Sequence, residues 1–185
     1  MRCTRSRGSR GFDCLVCLPR PGERGRYPAR VNMNTRNATT NDAAAISEFV
    51  SNLATEHIAP SLGDGGLDIL LDSLNVDATR QRLENDWPHI CVFDGKDLSG
   101  IIVIKPPTHL YHLFVRTDLQ RNGIGSQLFA IADRTCMDAS GVRLETVNSS
   151  LNAVQFYARF GFDTDGPVVD TKGVKHQHMV RPIAG

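Results

Sequence analysis

The segment Leu110-Tyr-His-Leu-Phe-Val-Arg-Thr-Asp-Leu-Gln-Arg-Asn-Gly-Ile-Gly-Ser126 decides how this chain is read. Leu110–Val115 is a strand by composition, and Ile124, Leu128, Ile131 and Ala132 then recur as on one face of a helix. The loop between them carries Gly123 and Gly125, which allow positive φ and close approach of backbone to a ligand. The first N–H groups of a helix lack internal partners, and the helix dipole adds partial positive charge there. The segment is therefore an anion cradle suited to a phosphate or pyrophosphate, with Arg121 and Arg116 adding full charges. No Lys-Ser/Thr follows the glycines, which excludes a P-loop. Leu128 falls where a dinucleotide fingerprint needs its third glycine. An ordinary glycine-containing turn is the plain alternative.

Outward from this loop, strand and helix signals alternate. Thr35–Ala38 is a short strand, and Thr40 and Asn41 are N-cap candidates for a helix with Ile46, Phe49, Val50 and Leu53 on one face. Residues 63–84 hold one or two helical pieces, with Asp77 as the expected cap of Ala78–Glu84. His89–Phe93 and Leu98–Ile104 flank the turn Asp94-Gly-Lys-Asp97 as a hairpin. The run Ile101–Ile104 is apolar on both faces, as a doubly covered strand requires. The helix after Gly125 should end near Gly141, followed by a strand over Val142–Val147. Ala153, Phe156, Tyr157 and Phe160 mark a second helix, stopped by Gly161 with Phe162 beyond it, the pattern of a Schellman end. Val168–Val169 and Val174–Val180 complete a mixed sheet of six to seven strands with helices on both faces.

The length of 185 residues suits one domain, and 41% apolar with 22% charged residues is ordinary globular composition. The net charge of +1 is unevenly placed: residues 1–32 carry eight arginines against Asp13 and Glu23, so +6, leaving −5 for residues 33–185. A mildly acidic body argues against nucleic acid as main partner and favours a cationic one. Residues 1–32 show neither helical nor strand periodicity, so they read as a disordered arginine-rich tail. The tail could be a basic arm, a presequence, or the product of a start codon upstream of Met33. The last is preferred, because the folded pattern starts immediately after Met33. Phe12–Leu18 is too short and too interrupted for a membrane span or a secretory signal. Cys14 and Cys17 have metal-ligand spacing without a second pair, and Cys91 and Cys136 stand apart, which together suggest a cytoplasmic protein.

Two motifs in order carry a resemblance. Gln120-x-x-Gly123-x-Gly125 after a strand resembles the coenzyme A-binding motif of the GNAT superfamily of N-acetyltransferases. Val147-Asn-Ser-Ser-Leu-Asn-Ala-Val-Gln-Phe-Tyr-Ala-Arg-Phe-Gly-Phe162 resembles that family's second signature. The resemblance covers residues 33–185 and implies a single-domain α/β (α+β) GNAT fold, its mixed sheet mostly antiparallel, with acetyl-CoA as cosubstrate.

The resemblance also implies roles. The sheet should splay after the strand ending at Val115, with the pantetheine arm pairing with the backbone of Leu113 and Val115. The diphosphate should sit over Gln120, Arg121, Asn122, Gly123, Ile124, Gly125 and Ser126, held mainly by backbone N–H groups. Tyr157 matches the tyrosine that protonates the coenzyme A sulfur; a packed aromatic is its plain reading. His109 stands where some members carry a glutamate base; a satisfied strand-end histidine is its plain reading. Strand alternation puts His112 on the opposite face, and Glu145 and Glu56 stay open as bases. The asparagine that often contacts the cofactor has Ser150 in its place here, so Asn148 and Asn152 are the candidates. Each is otherwise a cap or turn residue.

No metal is implied. The acceptor, a small-molecule or protein amine, should meet residues 56–84 and the hairpin Lys172–His178. Neither nucleic acid nor membrane is an expected partner, and a homodimer stays open. Two rivals remain: a catalytically silent acyl-CoA sensor of the same fold, and an RNA-binding protein using the arginine-rich tail.

Overall fold

The computed structural model describes residues 15–16 and 33–182. Most of the arginine-rich segment, including Cys14 and Cys17, lies outside the described residues. The elements are β1 (Leu15–Val16), β2 (Met33–Asn37), α1 (Ala43–His57), α2 (Gly66–Leu74), α3 (Val76–Glu84), β3 (His89–Asp94), β4 (Asp97–Lys105) and β5 (His109–Val115). Then follow α4 (Ile124–Ser140), β6 (Thr146–Ser149), α5 (Val154–Ala158), β7 (Asp163–Thr164), β8 (Val169–Thr171) and β9 (Val174–Val180).

Seven strands lie on one path, β2-β3-β4-β5-β6-β9-β7, with β1 attached to β5 and β8 to β9. Among the described residues only the β5–β6 and β1–β5 pairs are parallel, so the sheet is mixed and mostly antiparallel, as expected. Side-chain alternation on β4 builds two cores. Ile101 and Val103 face α1 and α2 with Ile46, Val50, Leu70 and Leu74. Ile102 and Ile104 face α4 and α5 with Leu128, Phe129, Ala132, Phe156 and Tyr157. At Gly100 a Cβ would lie 3.1 Å from Leu128 Cδ1 and 3.3 Å from the Phe114 carbonyl oxygen, so α4 approaches β4 only over a glycine.

Local signals behave as the sequence suggests at both helix ends near the site. Gly141 closes α4 with φ 73°. At the end of α5, Phe162 N–H donates to the Tyr157 carbonyl and Gly161 N–H to that of Ala158, the paired bonds of a Schellman motif.

Thr40 and Asn41 lie inside a 3-10 turn capped by Thr39, and the N-cap of α1 is Asp42; four further expectations need correction. The cap of α3 is Asn75, whose Oδ1 accepts from Ala78 N–H at 2.8 Å, so Asp77 lies inside the first turn. The strand expected from Val142 starts at Thr146, because the residues before it bond elsewhere. Leu144 N–H donates to Asp133 Oδ1 on α4, and Glu145 N–H donates to the Thr108 carbonyl. Before residue 33, where no strand was expected, Leu15–Val16 form one.

The fourth concerns His112. Val103 pairs with His112 and Ile104 with Leu110, which leaves Tyr111 as an extra residue on β5. This bulge resets the alternation. Leu110 lies in the α4–α5 core, whereas Tyr111 lies in the other and His112 packs edge-on to Phe114 beside it. Thr146, the partner of His109, is likewise opposite the α4–α5 core residue Val147. His109 and His112 therefore share the α1–α3 face.

Candidate functional site

The site forms where β5 and β6 part. They pair only at His109 with Thr146 and Leu110 with Val147. β6 pairs with β9 along its whole length, so beyond Val147 it leaves β5 and follows β9, and β5 keeps β4 on one edge. Arg116 N–H donates to the Ser99 carbonyl on the β4 side. Backbone alternation then directs Phe114 toward β4 and Leu113 and Val115 toward the fork. The expectation of a splay with these two backbones on its open edge matches this arrangement. Within the fork, β1 pairs in parallel with β5, Leu15 opposite His112 and Val16 opposite Leu113.

At the mouth of the fork lies the loop read from the sequence as an anion cradle. Residues Thr117–Leu119 form a 3-10 turn, Arg121 has φ 65° and Gly123 φ 83°, and α4 runs 17 residues from Ile124. These positive-φ residues turn the chain so that the N-terminus of α4 faces the end of β5. A Cβ at Gly123 would meet nothing within 4 Å, so its backbone conformation is what requires glycine. A Cβ at Gly125 would meet only the Phe156 ring at 3.6 Å and Val115 Cγ2 at 3.9 Å. Ile124 is buried under the loop, while Arg121 and Ser126 are exposed and Asn122 is half-buried.

Gln120 behaves differently from a surface ligand. It is 8% exposed, and its Nε2 donates to the Val115 carbonyl at 2.9 Å. It therefore ties the cradle to β5. Arg116 also differs from its expected role, because it pairs with Asp118 at 2.7 Å and Asp94 at 3.6 Å instead of standing ready for an anion. Those carboxylates hold its guanidinium more firmly protonated than usual, mainly through the bond to Asp118.

Tyr157 is fully buried beside Phe156 and Phe162 in the core that also holds Leu113 and Val115. His109 is half-buried, with Nδ1 2.8 Å from Thr146 Oγ1 across the last paired residues of the fork. Asn148 Oδ1 accepts from His178 Nδ1 at 2.7 Å on the neighbouring strand, and Asn152, exposed before α5, accepts from Ser150 Oγ. Glu145 accepts from Thr108 at 2.6 Å near His109, while Glu56 sits at the end of α1 against Thr117. The structure thus gathers His109, Leu113, Val115, Gln120 and Gly123 along one strand and its following loop.

Residues that sequence reasoning passed over also shape the site. Thr146 fixes His109, a relation that only the β5–β6 register reveals. Beneath β5, Arg82 of α3 donates to the Ser73 carbonyl and to Thr79 while its guanidinium lies 5.3 Å from the Tyr111 ring. Burial lowers its pKa from the usual arginine value. His89 donates Nδ1–H to the Trp87 carbonyl at 2.7 Å, and burial pulls its pKa down to about 4. Burial, with Arg82 and His89 nearby, also holds His112 well below the ordinary histidine range, so both rings are neutral at pH 7. The two described cysteines, Cys91 and Cys136, are buried and free, their thiols pushed up to about 12 and about 11 by desolvation.

Opposite the fork, Gly63 N–H donates to the Gly173 carbonyl at 2.9 Å, joining the segment after α1 to the β8–β9 turn. Among the described residues no group of three or more His, Cys, Asp or Glu is placed to hold a metal, and no helix is long and apolar enough to cross a membrane.

Comparison with known proteins agrees with this geometry. Residues 58–182 match the family model described as Acetyltransferase (GNAT) domain. No sequence among the curated proteins compared matches the chain. Among solved structures, an N-acetyltransferase from Rhodopseudomonas palustris superposes with TM-score 0.68 at 16% identity, over 85% of this chain and 100% of that one. The PaiA N-acetyltransferase from Thermoplasma acidophilum, in complex with coenzyme A, gives 0.61 at 17% identity over 82% and 99%. A GNAT-family acetyltransferase from Streptococcus pneumoniae gives 0.60 at 20% identity over 80% and 97%. At these identities the likeness is one of fold.

Proposed function

The chain belongs to the GNAT acetyltransferase family and is an acyltransferase, and we propose that it moves the acetyl group of acetyl-CoA to an amine by direct attack in a ternary complex. The observation that supports this most is the continuity of an anion cradle at Gly123–Ser126 with the backbone edge of β5 that β4 and β6 leave free. A long ligand with a diphosphate at one end and amides along its arm matches both features at once. On this reading residues 33–185 form one acetyltransferase domain.

Each step has a resident group. The diphosphate meets the N–H groups that begin α4, where the helix dipole favours negative charge. The pantetheine amides pair with the backbone of Leu113 and Val115. An amine of lysine-like pKa, about 10.4, must lose its proton before it attacks. His109, held by Thr146, takes that proton directly or through a water. The amine nitrogen then bonds to the thioester carbonyl carbon, and a backbone N–H near Val115 stabilises the oxyanion. The nitrogen sheds its second proton to solvent, and the oxyanion collapses. The C–S bond breaks, and Tyr157 protonates the departing sulfur and is reprotonated from solvent, a contribution of roughly 10²–10⁴-fold where such acids operate. Asn148 and Asn152 line the β6–α5 side, and Gly63 and Gly173 join the two segments that would wall the acceptor.

The reading is tested by incubating the full chain with acetyl-CoA and a panel of amines: polyamines, amino acids, aminoglycosides, and lysine and N-terminal peptides. Free thiol should appear with at least one acceptor, and Tyr157→Phe should slow it by the factor above without abolishing cofactor binding. Coenzyme A binding with no turnover on any amine would favour the silent sensor instead.

A further inference from the structure

The fork between β5 and β6 already holds a guest, the backbone of Leu15–Val16. The pairing falls at His112 and Leu113, beyond the last residue that β6 contacts and on the edge that β4 leaves open. Such an edge presents N–H and C=O groups to any extended chain. Leu15 and Val16 lie within Phe12–Leu18, the apolar, β-prone run of the otherwise arginine-rich first 32 residues. The chain is long enough for this docking. Sixteen residues separate Val16 from Met33, reaching up to about 50 Å when extended. The two strands between β2 and β5 place those strands only about 15 Å apart.

We propose that the open edge of β5 is a binding site for an extended polypeptide, that its occupant is this chain's own Leu15–Val16, and that acetyl-CoA must displace it. The claim rests on the cofactor reading above, since the same Leu113 backbone serves both guests. One edge holds one strand at a time. Tethering keeps the segment at high effective concentration, so the free enzyme is held partly closed to its cosubstrate. The apparent dissociation constant then rises by the inverse of the open fraction.

The test compares the full chain with a full-length variant carrying Leu15→Pro and Val16→Pro, which removes both backbone donors. Coenzyme A affinity is measured by calorimetry, and amide hydrogen exchange is followed without ligand. If the segment fills the fork nine-tenths of the time, the variant binds coenzyme A about tenfold more tightly. Its Leu113 amide also exchanges faster, with Ile101–Val103 unchanged as a check on the sheet. Equal exchange at Leu113 in the two proteins overturns the pairing. Faster exchange with equal affinity overturns the competition. If neither protein binds coenzyme A, the cofactor reading fails, and with it the displacement, while exchange still decides whether the segment occupies the fork.

Discussion

Gln120 turns its side chain into the protein and donates Nε2–H to the carbonyl oxygen of Val115, 2.9 Å away. The bond joins the anion cradle to the last residue of β5, so the two halves of the cleft keep a fixed spacing. Gln120→Glu preserves shape but removes the donor and sets a carboxylate against a carbonyl. Losing a buried partner of this kind costs about 1–3 kcal/mol. The expected result is a lower melting temperature and a KM for acetyl-CoA raised more than kcat is lowered. Unchanged KM would mean that the cradle keeps its position without the bond.

Gly100 sets how closely α4 can approach the sheet. A Cβ there would crowd Leu128 Cδ1 at 3.1 Å and the Phe114 carbonyl oxygen at 3.3 Å. Gly100→Val should therefore destabilise the fold by about 1–3 kcal/mol, as overpacking does. Urea denaturation would show this as a lower midpoint at unchanged slope. Because α4 begins at the cradle, coenzyme A affinity should fall as well.

What the sequence disclosed was local. The glycine loop, the Schellman end at Gly161 and the doubly apolar Ile101–Ile104 each depend on a few consecutive residues, and each formed as read. Apart from the helix caps, the misreadings were relational. The bulge at Tyr111, which brings His109 and His112 to one face, is a property of two strands in register. Asp133 draws Leu144 and Arg143 to α4 from eleven and ten residues away, so the strand begins at Thr146 instead of Val142. Arg82 lies on a short polar helix, and nothing in its neighbours foretold that it would be half-buried against Tyr111.

Acid should weaken the protein through His89 and His112. Both carry folded-state pKa values below the unfolded value, His89 at about 4 against 6.5, because burial disfavours the charged ring. Between those values the unfolded chain binds the extra proton, so stability rises with pH. The contribution is complete above about pH 6.5 and is lost as pH falls toward 4. For His89 it is of order 3 kcal/mol. Melting curves from pH 7 to 4.5 should show this fall, and His89→Gln should flatten part of it. A parallel fall in the variant would assign the acid sensitivity elsewhere.

Thr146 should matter through His109. Thr146→Val removes the hydroxyl 2.8 Å from Nδ1 and leaves a side chain of similar shape. The acidic limb in the pH profile of kcat/KM should be displaced, with Thr146→Ser restoring it. A profile identical to that of the wild type would remove His109 from the role of base.

The most direct test of the account is the melting temperature of the full chain with and without acetyl-CoA. At a free ligand concentration about 100 times the dissociation constant, linkage contributes about 2.7 kcal/mol. For a chain of this size that raises the midpoint by several degrees, at about 2–4 °C per kcal/mol. Such a rise is expected with acetyl-CoA and with coenzyme A. The rise should vanish in Gly125→Trp, where the indole must fill the cleft mouth beside Phe156 and Val115. No shift with either ligand would contradict the cofactor cleft, and the acetyl-transfer mechanism built on it would fall with it.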